Sequence, residues 1–386
     1  MGVGAHWRTG TRSTIPARRA DRWVTCCVCV LRSCCVCVVT VGFLSFLGAC
    51  LLYLPDPLPL NPFVFVSEEH SAVTILIWTH PFGRFRKLPD CYVRYQIGGC
   101  TLTDDRRAYT QADALIIHHR EVATGTDELP PEPRPCAQKW IWMNYESPAH
   151  TARLGYFEGV FNLTMSYRTD SDIFLPYGYL IPRERAAKGL QSRYAQPLRG
   201  PTRSHLLRPR LVAWVISNWS ESHARVAFYY QLRRYIQVDV FGRAGRPLPE
   251  DSGGGSVVRL VGRYLFYLAL ENSQHTDYIT EKLWNAVLAG AVPVVLGPSR
   301  QNYERFLPPE AFIHVDDFPT VRALARYLLM LRRNPARLRR HLTWRGGYSV
   351  HQPAFWVEHY CTACRAVSRT RGRTGVVKDL TRWFHS

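Results

Sequence analysis

The sequence predicts an α/β protein whose larger, C-terminal region is built as two halves, each on a mainly parallel sheet. Three observations carry this. Short apolar runs recur, several without polar alternation, the pattern of strands buried on both faces. Amphipathic helical stretches lie between them. The segment Arg183 to Arg210, rich in Pro, Gly and Arg, lacks an apolar period and reads as a linker between the halves. At 386 residues the chain suits about two domains, and 46% hydrophobic against 20% charged residues excludes a wholly disordered polymer. No fixed-period repeat occurs, which excludes a solenoid or propeller.

The first element is a membrane anchor. Ser33 to Leu54 contains no charged residue and, at about 33 Å as a helix, matches the hydrocarbon thickness of a bilayer. Arg8, Arg12, Arg18, Arg19, Arg22 and Arg32 precede it against a single Asp21, so the N-terminus is expected on the cytoplasmic side of a single-pass type II protein. The run is too long for a usual signal-peptide core and no clean cleavage site follows it. Pro55 to Pro62 reads as a short stem. Seven of the 12 cysteines lie in or beside the span. Of the rest, Cys91, Cys100, Cys361 and Cys364 suit two disulfides in an oxidising lumen, with three pairings open, and Cys136 is left over. Asn162-Leu-Thr164 and Asn218-Trp-Ser220 are glycosylation sequons.

The expected strands are Ala72 to Trp78, Ala114 to Ile117, Trp140 to Met143, Leu211 to Ile216, Val238 to Phe241, Leu265 to Leu270, Val292 to Leu296 and Phe312 to Val315. Helical patterns run over Glu221 to Tyr235, Thr280 to Leu288 and Val321 to Arg333. Polar clusters follow directly on apolar runs: His118-His119-Arg120-Glu121, Asn144-Tyr145-Glu146-Ser147, Ser217-Asn218 and Glu271-Asn272-Ser273. In open parallel sheets, ligands bind beyond the carboxyl ends of the strands, so these clusters mark one cleft.

The net charge of +19, from 49 Lys and Arg against 30 Asp and Glu, invites a nucleic-acid reading, which a luminal location argues against. A phosphorylated donor, an anionic membrane surface or a coding bias toward Arg would also account for this charge. No P-loop, G-x-G-x-x-G before a helix, or G-x-S-x-G elbow occurs. Asp170-Ser-Asp172 is a D-x-D that could hold a divalent cation or form an acidic turn. Glu146 is the strongest general-base candidate, next to Trp140, Trp142 and Tyr145 as a platform for a sugar. Arg225 and Lys282 sit in the first turns of helices, where basic side chains oppose the dipole unless an anion such as a diphosphate binds there.

Tyr267-Leu-Ala-Leu-Glu-Asn-Ser-Gln-His-Thr-Asp-Tyr-Ile-Thr-Glu-Lys282 and Ala289-Gly-Ala-Val-Pro-Val-Val-Leu-Gly297 resemble the signature block of the animal alpha-(1,3)-fucosyltransferases, glycosyltransferase family 10. Trp140-Ile-Trp-Met-Asn-Tyr-Glu-Ser-Pro148, Tyr167-Arg-Thr-Asp-Ser-Asp172 and Phe312-Ile-His-Val-Asp-Asp-Phe318 extend the resemblance, whose C-terminal half is similar to the myeloid-type members. The resemblance implies a GT-B fold, two Rossmann-like domains facing a cleft, in the Golgi membrane. It implies a tail at 1–32, an anchor at 33–54, a stem at 55–71, an acceptor-side domain at 72–200, a GDP-fucose domain at 208–365 and a C-terminal segment at 366–386. Fucose would pass from GDP-fucose, with inversion and without a cofactor or catalytic metal, to N-acetyllactosamine glycans, giving Lewis x-type products.

By the same resemblance Glu146 is the base, and Arg225 and Lys282 stabilise the leaving GDP. Tyr177, Val215, Ser217, Asn218, Tyr267, Asn272, Tyr278 and Glu281 complete the donor pocket. His119, Arg120 and Glu271 meet the acceptor, and Arg120 points to type 2 chains. Asn162 is expected to be glycosylated and Asn218 not, because a glycan there would block the donor. The competing expectation, from a different class, is an inactive luminal protein that binds glycans on the same fold.

Overall fold

The computed structural model describes residues 72–186, 195–248 and 255–386. They belong to one compact unit spanning Glu68–Ser386. The expected tail, anchor and stem lie outside the described residues, and among those described no helix is long and apolar enough to cross a membrane.

The first sheet comprises β1 (Val73–Ile77), β2 (Cys100–Thr103), β3 (Ala114–His118), β4 (Lys139–Met143), β5 (Leu163–Ser166) and β6 (Ile173–Phe174), in the order β2-β1-β3-β4-β5-β6. Every pairing is parallel. β3 and β4 are buried along their whole length, which is why they read as unbroken apolar runs. β5 escaped sequence reading because Leu-Thr-Met-Ser alternates. Its Thr164 is nonetheless buried, with the hydroxyl donating to Asp172 Oδ2 at 2.8 Å.

Part of the expected linker is strand. β7 (Tyr179–Pro182) and β8 (Gln196–Pro197) flank a late strand, β14 (Tyr348–His351), in a small antiparallel sheet ordered β7-β14-β8. The second large sheet holds β9 (Arg210–Val215), β10 (Val238–Phe241), β11 (Tyr264–Leu270), β12 (Val292–Leu296) and β13 (Ile313–His314), all parallel, in the order β10-β9-β11-β12-β13. All eight apolar runs singled out in the sequence are strands of these two sheets. The helical stretches form as Ala224–Leu232, Glu281–Ala289 and Val321–Arg333.

The chain then returns to the first sheet. The helix Val357–Arg369 packs on β1 and β2, and disulfides Cys91–Cys361 and Cys100–Cys364 fasten it there. Leu380 and Phe384 of the last helix enter the same core, with the Phe384 ring 4.9 Å from that of Trp142. The boundary expected at residue 365 therefore cuts through a helix belonging to the first half. Cys136 stays free and exposed.

Candidate functional site at the facing strand ends

The carboxyl ends of β4 and β11 meet. Ser273 Oγ, after β11, donates to Ser147 Oγ, after β4, at 2.6 Å. Glu146 stands exposed beside Ser147, and the Tyr278 hydroxyl points at its Oε2 from 3.5 Å. His150 and His223 approach edge to face across the same gap, 5.9 Å between centroids. The Tyr177 hydroxyl donates to the Tyr145 carbonyl, and its ring lies 6.5 Å from that of Tyr278.

On the second sheet's side, the Ala224–Leu232 helix carries Arg225 inward. Its guanidinium is buried, donating to the Asn218 carbonyl after β9 and, at 3.5 Å, to the Leu270 carbonyl at the end of β11. It makes no ion pair among the described residues, and its Nε has no hydrogen-bond partner. Burial pulls its pKa below the ordinary value, against the attraction of Glu271. A buried, underpartnered guanidinium is costly unless an anion completes it.

Lys282 lies in the first turn of Glu281–Ala289. Its Nζ donates to Thr280 Oγ1 at 2.8 Å, Glu271 Oε2 at 3.2 Å and Glu281 Oε1 at 3.3 Å. Burial opposes its charge, but Glu271 and then Glu281 push its pKa up to about 12. Glu271 itself is buried, and Thr280 donates to it from both its N–H and its hydroxyl at 2.9 Å. Burial raises its pKa while Lys282 holds it down. Lys282 is thus held between Glu271 and Glu281, whereas Arg225 has no carboxylate within ion-pair distance among the described residues and is the open cation at the strand ends, beside a helix N-terminus that favours an anion.

The other expected donor residues gather around these two. Val215 ends β9, Ser217 and Asn218 follow it and are exposed, and Asn272 is half-buried after β11. Tyr267 is buried within β11. Burial first, then the negative charges of Glu146, Glu271 and Glu281, hold the Tyr278 phenol well above its ordinary pKa, so these carboxylates surround one phenol. Ser147 and Ser273, read from the sequence only as members of polar clusters, join the two halves, and Thr280 was missed. Thr280 had a legible signal as a helix N-cap, but its hydroxyl serves Glu271 and Lys282 rather than the helix.

Several expectations need correction. His119 does not face an acceptor: it is buried, its Nε2 bonds the Ala152 carbonyl at 2.8 Å and its Nδ1 accepts from Trp142 at 3.0 Å. Both ring nitrogens are consumed, and burial pushes its pKa down to about 4. Arg120, the next residue, is exposed, its guanidinium 5.0 Å over the Phe82 ring. Glu271 likewise has both oxygens engaged and anchors Lys282 instead of meeting an acceptor. Trp140, Trp142 and Tyr145 are core residues and offer no sugar platform. Asp170 pairs with Arg168 through 2.9 and 2.8 Å bonds, and Asp172 accepts from the Thr164 N–H at 2.8 Å, an acidic turn. Asn162 lies away from the cleft, its Oδ1 accepting from Trp140 N and its Nδ2 donating to the Gly375 carbonyl at 3.1 Å. A separate cavity of about 580 Å³ opens at the amino-terminal ends of β9 and β10 and includes none of the expected site residues.

Comparison with known proteins identifies the family. A family model described as the fucosyltransferase N-terminal region matches residues 70–178, and one described as glycosyltransferase family 10 (fucosyltransferase) C-term matches residues 206–383. Human alpha-(1,3)-fucosyltransferase 4 is 43% identical over 425 aligned residues, covering 99% of this chain and 76% of the relative. Human 4-galactosyl-N-acetylglucosaminide 3-alpha-L-fucosyltransferase FUT6 is 46% identical over 323, covering 82% and 84%. A crystal structure of an alpha1,3-fucosyltransferase with GDP-fucose shares the α/β fold at a TM-score of 0.50 and 16% identity, over 79% of this chain and 92% of that one.

Proposed function

Because this chain belongs to glycosyltransferase family 10, the fucosyltransferases, we propose that it transfers L-fucose from GDP-fucose to the 3-hydroxyl of GlcNAc in N-acetyllactosamine glycans. The observation that carries this is the pairing of Arg225, buried and without an ion-pair partner among the described residues, with Lys282 across the strand ends from Glu146.

In this GT-B reading the diphosphate of the donor lies between Arg225 and Lys282, and Asn218, Asn272, Tyr177 and Tyr267 line the rest of its pocket. Glu146 takes the proton of the acceptor hydroxyl. The freed oxygen forms a bond to the fucose anomeric carbon as the bond from that carbon to the β-phosphate oxygen breaks, and the electron pair leaves with GDP. Attack from the face opposite the GDP inverts the centre. Arg225 and Lys282 meet the charge growing on the departing diphosphate, an effect worth a few kcal/mol in preorganised sites. The two cations supply that charge without a metal. Arg120 is the acceptor-facing residue that remains, and it favours type 2 chains and Lewis x-type products. A Golgi membrane location with the catalytic region luminal, and glycosylation of Asn162 but not Asn218, complete the reading.

The test is turnover by the purified full-length chain. With GDP-fucose and N-acetyllactosamine, in the presence of EDTA, it should release GDP and yield an α1,3-linked product. Glu146→Gln should lower kcat by about 10²-fold or more while GDP affinity holds. A wild-type protein that binds GDP tightly and never turns over would support the glycan-binding alternative instead.

A further inference from the structure

We propose that Asp277 is a positioning residue that fixes Tyr278 against Glu146 and pins the half carrying Glu146 to the half carrying the donor site. The inference rests on the reading of Glu146 as the base and goes beyond it, since Asp277 touches neither substrate position.

Asp277 adopts a left-handed backbone, φ 61°, a region few residues other than glycine occupy and one often held at functional sites by surrounding contacts. Those contacts are present. Its carboxylate is buried, and Oδ2 accepts from Thr169 twice, from the N–H at 2.9 Å and the hydroxyl at 2.8 Å. Oδ1 accepts from Asn302 Nδ2 at 2.6 Å and Arg305 Nη1 at 3.2 Å. The Asp277 N–H donates back to Asn302 Oδ1 at 3.0 Å, and Arg305 also donates to the Thr169 hydroxyl at 2.6 Å.

Thr169 belongs to the first half, in the turn after β5, the strand that neighbours β4. Asn302 and Arg305 belong to the second. One carboxylate therefore ties the two halves together beside the cleft. The next residue is Tyr278, whose ring lies 5.1 Å from Tyr167 and whose hydroxyl makes the sole side-chain hydrogen bond to the Glu146 carboxylate among the described residues. The path from Thr169 through Asp277 and Tyr278 back to Glu146 closes a loop around the site. Releasing Asp277 lets the αL turn relax and removes what aims the phenol.

The test compares full-length wild type, Asp277→Asn, Thr169→Val and Thr169→Ser. Asn keeps the shape of Asp but turns an N–H donor toward a neighbouring donor. Asp277→Asn and Thr169→Val should lower kcat by about ten- to a hundredfold, the scale of a misplaced catalytic group, with GDP affinity within about threefold of wild type. Thr169→Ser should recover most of the rate. Wild-type kcat in both variants would overturn the proposal, as would a fall in GDP affinity matching the fall in kcat, which marks general damage to the fold. Hydrogen exchange gives a readout independent of turnover: the Thr169 amide should be protected in wild type and exposed in Asp277→Ala. Unchanged protection refutes the clamp even if wild type transfers no fucose, a result that by itself refutes only the assigned function.

Discussion

Lys282 Nζ lies 3.2 Å from Glu271 Oε2, and that carboxylate is buried at the end of β11 while the ammonium reaches the cleft. Glu271 thus sets where the cation stands. Glu271→Ala leaves Glu281 as the one remaining carboxylate against Lys282 and Arg225 and should cost about 3–5 kcal/mol of stability in urea unfolding. GDP should raise the melting temperature more in this variant than in wild type, because the diphosphate replaces the lost negative charge. An equal shift in both proteins would show that the two cations do not form one anion site.

Arg225 tests the guanidinium geometry. Arg225→Lys keeps the charge but loses both the fork that reaches the Asn218 and Leu270 carbonyls and the buried, unpartnered Nε. GDP binding, read by calorimetry, should weaken by about tenfold or more. Unchanged affinity would place the diphosphate elsewhere.

Two buried histidines make the fold acid-sensitive. Burial pushes His119 down to about 4 and His359, packed against Tyr145, Phe355 and Trp356, down to about 3, from an ordinary 6.5. Below pH 6.5 the unfolded chain takes up protons that the folded one refuses. Their stabilisation is therefore complete above 6.5 and falls as pH drops toward the folded values, by about 2 kcal/mol per histidine between pH 7 and 5. His359→Phe, close in shape, should remove its share of that loss. Unfolding free energies at the two pH values with the same difference as wild type would contradict this.

The disulfides Cys91–Cys361 and Cys100–Cys364 close loops with sequence separations of 270 and 264. Loss of both, in Cys361→Ala with Cys364→Ala, should cost roughly 5 kcal/mol through the freed unfolded chain. Thermal unfolding of the double variant under non-reducing conditions would show it, and an unaltered midpoint would mean the helix Val357–Arg369 holds to β1 and β2 by packing alone.

The sequence by itself determined eight strands, most of them with unbroken apolar runs, the helices between them, and the clustering of Glu146, Ser217 and Asn272 at strand ends, because local periodicity and burial leave a mark in the order of residues. It also singled out Arg225 and Lys282, cations in first helical turns where an anion would be needed to offset them. Tertiary structure decided the rest. Whether His119 points to a ligand or into the core depends on Ala152 and Trp142, and whether Glu271 meets an acceptor depends on Thr280 and Lys282. The return of the last helices to the first sheet, and the Thr169–Asp277 tie between the halves, join residues more than a hundred positions apart. No local pattern encodes such contacts, since they arise only when separate elements compete for the same buried surface and the same hydrogen bonds.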